Sequence, residues 1–150
     1  MKLNTGEKAP DFKLPSTTLK VFHLYEELAG GNIILYFYPK DFTMGCTAEA
    51  CGFRDEFSHL RDAGVRVVGV STDTIESHER FRKEHNLPFE LLSDAGGAVS
   101  KMYGAFNPIF KFASRVTFII GKDGTLLKIT KSILPRPHLD AAKKLEEKGE

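Results

Sequence analysis

The strongest pattern in the chain is an uncharged run of branched and aromatic side chains, Asn32-Ile33-Ile34-Leu35-Tyr36-Phe37-Tyr38, ended by Pro39. Apolar side chains at consecutive positions leave no polar face, so this run predicts a central strand buried on both sides. Downstream, Ala50, Phe53, Phe57 and Leu60 recur at helical spacing and predict a helix over about 45–62, stopped near Gly64. Val65-Arg66-Val67-Val68-Gly69-Val70-Ser71 is a second strand. It closes a β-α-β unit whose strands should be parallel and whose crossover should be right-handed. Asp73, with Glu76 three residues later as its capping-box partner, opens a helix running to about Asn86.

Pro88 then breaks the chain before a short strand at Phe89–Leu92, and Gly97 to Tyr103 reads as a short helix. Arg115–Ile120 and Thr125–Thr130 form two strands around the hairpin signal Gly121-Lys122-Asp123-Gly124. Pro137 opens a last helix, charged on its outer face, through Lys148. Residues 1–31 form a lead-in punctuated by Pro10 and Pro15, with a short strand at Val21–Leu24. The order β-α-β-α followed by β-β-α resembles the thioredoxin-like α/β fold. It predicts a central mixed sheet flanked by helices, with an N-terminal extension and an insertion around 89–113.

At 150 residues the chain is expected to form one domain, 1–150. With 21 Lys+Arg against 20 Asp+Glu, a net charge of +1 gives no electrostatic footprint for nucleic acid or an anionic membrane. The longest run of purely apolar side chains, Ile33 to Tyr38, is too short to span a bilayer. The first residues turn polar at once, unlike a secretory signal. Two cysteines are too few for a secreted disulfide framework. A cytoplasmic setting is the expectation, and there the two thiols are more chemical than structural.

Cys46 falls just beyond the carboxyl end of the first core strand, in the first turn of the following helix. In open α/β sheets ligands bind at that edge. The unpaired N–H groups and positive dipole end of a helix start favour thiolate over thiol. Counting 100° per residue, Cys46 lies within about 20° of Phe53, so its sulfur follows the core-facing stripe and should be part shielded. Such a thiol is either an inert core side chain or a good nucleophile. Thr43 could hydrogen-bond the sulfur or an oxygen approaching it, or simply cap the helix. Pro39 could exclude water and fix the loop, or simply stop the strand. Gly45 leaves the backbone free to crowd a small ligand.

Pro39-Lys40-Asp41-Phe42-Thr43-Met44-Gly45-Cys46 contains Pro-x-x-x-Thr-x-x-Cys, and here the chain resembles the peroxiredoxins. The longer string from Tyr38 to Asp55, including Thr47-Ala48-Glu49-Ala50-Cys51, is similar to the bacterioferritin-comigratory, or Q-type, branch. Gly6-Glu7-Lys8-Ala9-Pro10-Asp11-Phe12, Ser71-Thr72-Asp73 with His78 and Phe81, Leu87-Pro88-Phe89 and Arg115-Val116-Thr117-Phe118 extend the likeness. Met44 stands where the branch usually has proline, and the segment after Thr130 is only loosely similar.

The resemblance implies a thiol-dependent peroxidase that reduces hydrogen peroxide and small organic hydroperoxides, without cofactor or metal. It implies Cys46 as the peroxidatic nucleophile, Arg115, Thr43 and Pro39 as its catalytic neighbours, and Glu49 as the carboxylate that orients the arginine. The topology supports Arg115 separately. A strand starting there and running antiparallel to 32–38 begins at the rim where Cys46 lies. Outside the resemblance, Glu49 is a first-turn acid complementing the helix dipole.

Cys51 lies about 140° around the helix from Cys46 with about 7.5 Å of rise, so the two Cα atoms are about 8.7 Å apart in an intact helix. A disulfide requires less than about 7 Å. Either Cys51 is a bystander or the start of the helix unwinds. Family members with this pair use the second cysteine to resolve the first, as an intramolecular disulfide recycled by a thioredoxin- or glutaredoxin-like reductant. A monomer or weak homodimer is expected.

His59, His78 and His85 lack metal-ligand spacing and read as surface or capping residues. Phe106, Phe110 and Phe112 crowd one loop, as a substrate rim, a dimer contact or local packing. Gly30-Gly31 lacks the context of a dinucleotide site. Two rival readings use the same thiols. A dithiol exchange enzyme is opposed by the four-residue gap between them, and a redox sensor or chaperone would turn over peroxide slowly.

Overall fold

The computed structural model describes residues 3–18 and 20–148. In chain order the elements are β1 (Lys13–Leu14), β2 (Phe22–His23), α1 (Leu24–Glu27), β3 (Asn32–Phe37), α2 (Met44–Asp62), β4 (Val65–Ser71) and α3 (Ile75–Glu84). They continue with β5 (Glu90–Ser93), α4 (Ala98–Met102), β6 (Phe106–Asn107), β7 (Phe112–Ala113), β8 (Val116–Ile120), β9 (Leu126–Lys131) and α5 (Pro135–Lys148). The central sheet has the order β5-β4-β3-β8-β9. β3 runs parallel to β4 and antiparallel to β8, so the sheet is mixed. This is the thioredoxin-like fold expected from the order of elements.

β3 is buried on both faces, as its unbroken apolar run requires. Ile33, Leu35 and Phe37 join a core with Phe12, Phe22, Leu24, Val99 and Tyr103. Ile34, Tyr36 and Tyr38 point the other way, into a core with Cys46, Ala50, Phe53, Phe81 and Ala141. The lead-in is therefore structural: with α1 and α4 it covers the sheet face that α2, α3 and α5 leave open. Each fully buried Phe, Leu or Ile contributes roughly 1.5–3 kcal/mol, so the second layer is needed to hold the sheet.

Several boundaries differ from the sequence expectation. The strand expected at Val21–Leu24 shortens to Phe22–His23, because Leu24 already begins α1. Thr74, not Asp73, caps α3, its hydroxyl accepting from Ser77 N at 3.1 Å. The Asp73 carboxylate instead accepts from Asp41 N at 2.9 Å, a tertiary contact that local spacing does not reveal. α5 starts two residues earlier than expected, at Pro135. Within the insertion, β6 and β7 form a small hairpin, on which Phe110 and Phe112 stack at 5.6 Å. Phe106 packs over Gly97 instead, where a β-carbon would lie 2.4 Å from its ring. Among the described residues no helix is long and apolar enough to cross a membrane.

Candidate active site

β3 ends at Phe37, and Tyr38 N still donates to Val70 O at 3.0 Å. Pro39 has no N–H to continue the ladder, so the chain leaves the sheet there. It turns through Asp41 and Phe42 and enters α2 at Thr43, whose ψ of 153° is the extended conformation of a helix-capping residue. Phe42 has φ 67°, a costly backbone state for a bulky side chain. Its ring is held edge-on against Phe81 at 5.1 Å. Cys46 thus sits in the first turn of α2, at the carboxyl edge of β3.

The β3–β8 pairing opposes Phe37 with Val116, so Arg115 lies one residue beyond the paired region, at the same edge. Its guanidinium makes three contacts. Nη2 approaches Cys46 Sγ at 3.4 Å, Nη1 donates to Glu49 Oε1 at 2.5 Å, and Nε donates to Ile133 O at 3.1 Å. The family resemblance implies Glu49 beside Arg115 and Cys46, and in the structure Arg115 contacts both.

Two expectations change. Cys46 is buried, only 1% exposed, where part shielding was expected. It shares the buried stripe of Ala50 and Phe53, and the Arg115 side chain closes over it, itself 8% exposed. The Thr43 hydroxyl donates to Lys40 O at 2.8 Å within the loop rather than to the sulfur. It occupies the capping position of α2, yet its side chain makes no capping bond. Pro39 is half-buried at the strand end, and Met44 is 91% exposed. Cys51 is half-buried and free, five residues beyond Cys46 on an unbroken helix.

Glu49 is fully buried. Desolvation pushes its carboxyl up to about 7, against the lowering effect of Arg115. Its second oxygen, Oε2, has no hydrogen-bond partner and lies 3.8 Å from His138 Nδ1. His138 is also fully buried, placed by the first turn of α5. Its Nε2 faces Ser132 O at 2.9 Å, and its Nδ1 lies 2.7 Å from Thr117 Oγ1. Burial lowers this imidazole against the raising effect of its bond to Ser132 O, and Arg115 adds to the lowering. His138 was missed because it sits in the segment least like the known family. No local signal marks it, because its partners Thr117 and Glu49 come from other elements.

A second buried polar group underlies the loop. Asp41 accepts from Tyr38 Oη at 2.6 Å and from Ser77 Oγ at 2.8 Å, and pairs with His78 Nδ1 at 2.7 Å. His78 Nε2 faces Leu92 O at 2.8 Å. His78 is therefore a fully buried anchor, not the surface or capping residue expected. Asp41, Asp73 and His78 offer ligand atoms within 4.8 Å of one another. Those of Asp41 and His78 are bonded to each other and to their neighbours, which suits a loop anchor. His85 ends α3 at its C-cap, and His59 is exposed, both as expected.

The arrangement can hold a sulfur nucleophile against a fixed cation, with a second thiol nearby. Over residues 5–129 the chain matches the AhpC/TSA family. It is 36% identical to peroxiredoxin Bcp of Bacillus subtilis over 148 residues, covering 95% of this chain and 94% of that protein. It is 38% identical to the chloroplastic peroxiredoxin Q of Sedum lineare over 146 residues, covering 96% of this chain and 78% of that one. Peroxidoxin BcpB from Mycobacterium tuberculosis superposes with a TM-score of 0.88 at 33% identity, covering 96% of each chain. The chain therefore belongs to the AhpC/TSA family of thiol-dependent peroxidases, in its Bcp, or peroxiredoxin Q, branch.

Proposed function

We propose that Cys46 is the peroxidatic nucleophile, acting on hydrogen peroxide and small organic hydroperoxides. The contact of Arg115 Nη2 with the sulfur at 3.4 Å carries this reading. The thiolate attacks one peroxide oxygen and the O–O bond breaks. The sulfur loses two electrons and becomes a sulfenic acid, while the other oxygen leaves as water or alcohol after taking up a proton. Arg115 faces the negative charge that develops on the departing oxygen. Thr43 joins when its hydroxyl turns from Lys40 O toward the substrate, and Pro39 fixes the start of the loop.

Cys51 resolves the sulfenic acid. Its thiolate attacks the oxidised sulfur, the S–O bond breaks as the disulfide forms, and the oxygen leaves as water after taking up a proton. The intact helix keeps the pair about 8.7 Å apart, so residues 44–51 unwind first. Two features support this. The start of α2 has no side-chain cap, a contribution of about 1 kcal/mol in helices that have one. Immediately after Cys51, Gly52 lies so close to Leu139 of α5 that a β-carbon would come within 2.4 Å, which pins the helix from that point on. A thioredoxin- or glutaredoxin-like dithiol restores both thiols. A reducing compartment such as the cytoplasm suits two free cysteines. Cys46→Ser should abolish peroxide consumption with dithiothreitol as donor. Retained turnover would remove Cys46 from the role.

A further inference from the structure

Glu49 and His138 form a buried titratable pair with an open contact between them. The two side chains are both fully buried, and their nearest atoms, Oε2 and Nδ1, stand 3.8 Å apart. That distance is too long for a hydrogen bond and too short to admit a water between them. A carbonyl only accepts, so the contact with Ser132 O places a proton on Nε2 of His138. Nδ1 is then free to accept from the Thr117 hydroxyl, or to take a second proton while the hydroxyl oxygen accepts. Glu49 Oε1 is committed to Arg115, and Oε2 has no partner. An unpaired carboxylate oxygen is costly in a dry interior. It is relieved if Oε2 carries a proton, or if Nδ1 carries one and the gap closes by about 1 Å to ordinary hydrogen-bond length.

We propose that His138 is a positioning residue of the peroxidase site, which exchanges a proton with Glu49 and so decides whether Arg115 faces a carboxylate or a neutral carboxyl group. The groups facing Glu49 are Arg115 before β8, which also reaches Cys46, His138 on α5 and the Tyr36 hydroxyl on β3. Tyr36 is buried without a hydrogen-bond partner and its phenol is raised well above the ordinary value, so it stays neutral and does not compete for the proton. With the proton on His138, the carboxylate holds the guanidinium as an ion pair and offsets part of its charge. With the proton on Glu49, the full positive charge of Arg115 faces the sulfur. Thr117 completes the arrangement by fixing the ring.

This inference rests on the proposed role of Cys46, and the test separates the two. In histidine-labelled protein, the His138 ring resonances are followed by NMR against pH. In Glu49→Gln the His138 titration should move down by at least one pH unit, because the carboxylate no longer favours the imidazolium. In a Cys51→Ser background, the rate of Cys46 alkylation against pH should show an inflection near neutrality. That inflection should be lost in Glu49→Gln and displaced in His138→Asn, with circular dichroism showing both variants folded. An unmoved His138 titration, or alkylation profiles that superpose for folded wild type and His138→Asn, overturns the proposal. Cys46→Ser should keep the His138 titration; if it also still consumed peroxide, the role of Cys46 would fail while the proton exchange stood.

Discussion

Gly45 and Arg115 compete for one volume. A β-carbon on residue 45 would lie 2.9 Å from Arg115 Nη2, the nitrogen that reaches the Cys46 sulfur at 3.4 Å. The missing side chain at position 45 is what lets a guanidinium close over the sulfur. Gly45→Ala should displace the arginine and lower kcat/KM for peroxide at least tenfold, a loss of about 1.4 kcal/mol of transition-state stabilisation. The thermal midpoint should change little. Steady-state kinetics at unchanged kcat/KM would show that the close approach is not used.

Arg115 engages three acceptors through three different nitrogens, which a lysine cannot reproduce with one ammonium group. Arg115→Lys should therefore behave nearly like removal, with kcat/KM falling by about 10²-fold, in the range seen when a single charge-stabilising donor is lost. Single-turnover oxidation of the thiol by peroxide is the measurement. A lysine variant within a factor of two of wild type would contradict the geometry.

Burial holds the Glu49 carboxyl near 7, above its ordinary 4.5. A group that binds its proton more tightly when folded stabilises the fold fully below its unfolded pKa, and that contribution is lost as pH rises through the folded one. Between pH 4.5 and pH 8, wild type should therefore lose roughly 3 kcal/mol relative to Glu49→Gln. Urea denaturation of both proteins across that range measures it. A stability difference that does not change with pH would contradict the assignment.

Asp41 ties the loop before Cys46 to α3 through His78 and Ser77. Asp41→Ala leaves three buried or half-buried donors without their acceptor, and should cost about 3 kcal/mol of stability. It should also free the Phe42–Thr43 turn and speed alkylation of Cys46 in the folded protein. Denaturation and alkylation kinetics read the two effects separately. An Asp41→Ala variant as stable as wild type would show that the anchor is dispensable.

Much of this was legible in the chain. β3 and β4 declare themselves because strands buried on both faces must be apolar at every position, and β4 was expected at the bounds it has, Val65–Ser71. Arg115 could be placed because antiparallel pairing with β3 leaves only one rim for its side chain. His78 and His138 were not legible. Each earns its place through partners from distant elements, Asp41 and Leu92 for one and Thr117 and Glu49 for the other. Local periodicity carries no trace of such contacts. The closure over Cys46 was hidden for the same reason: the helix phase shows which way the sulfur points, and the Arg115 side chain, from the residue before β8, supplies the cover.

The most direct measurement is the chemical state of each cysteine after peroxide. Cys51→Ser protein, treated with one equivalent of hydrogen peroxide and a sulfenic-acid trapping reagent, is digested and the peptides weighed. The expected result is a trapped adduct on the peptide carrying Cys46, and, in wild type without the reagent, a disulfide joining Cys46 to Cys51. A Cys46 left unmodified while peroxide is consumed would contradict the account.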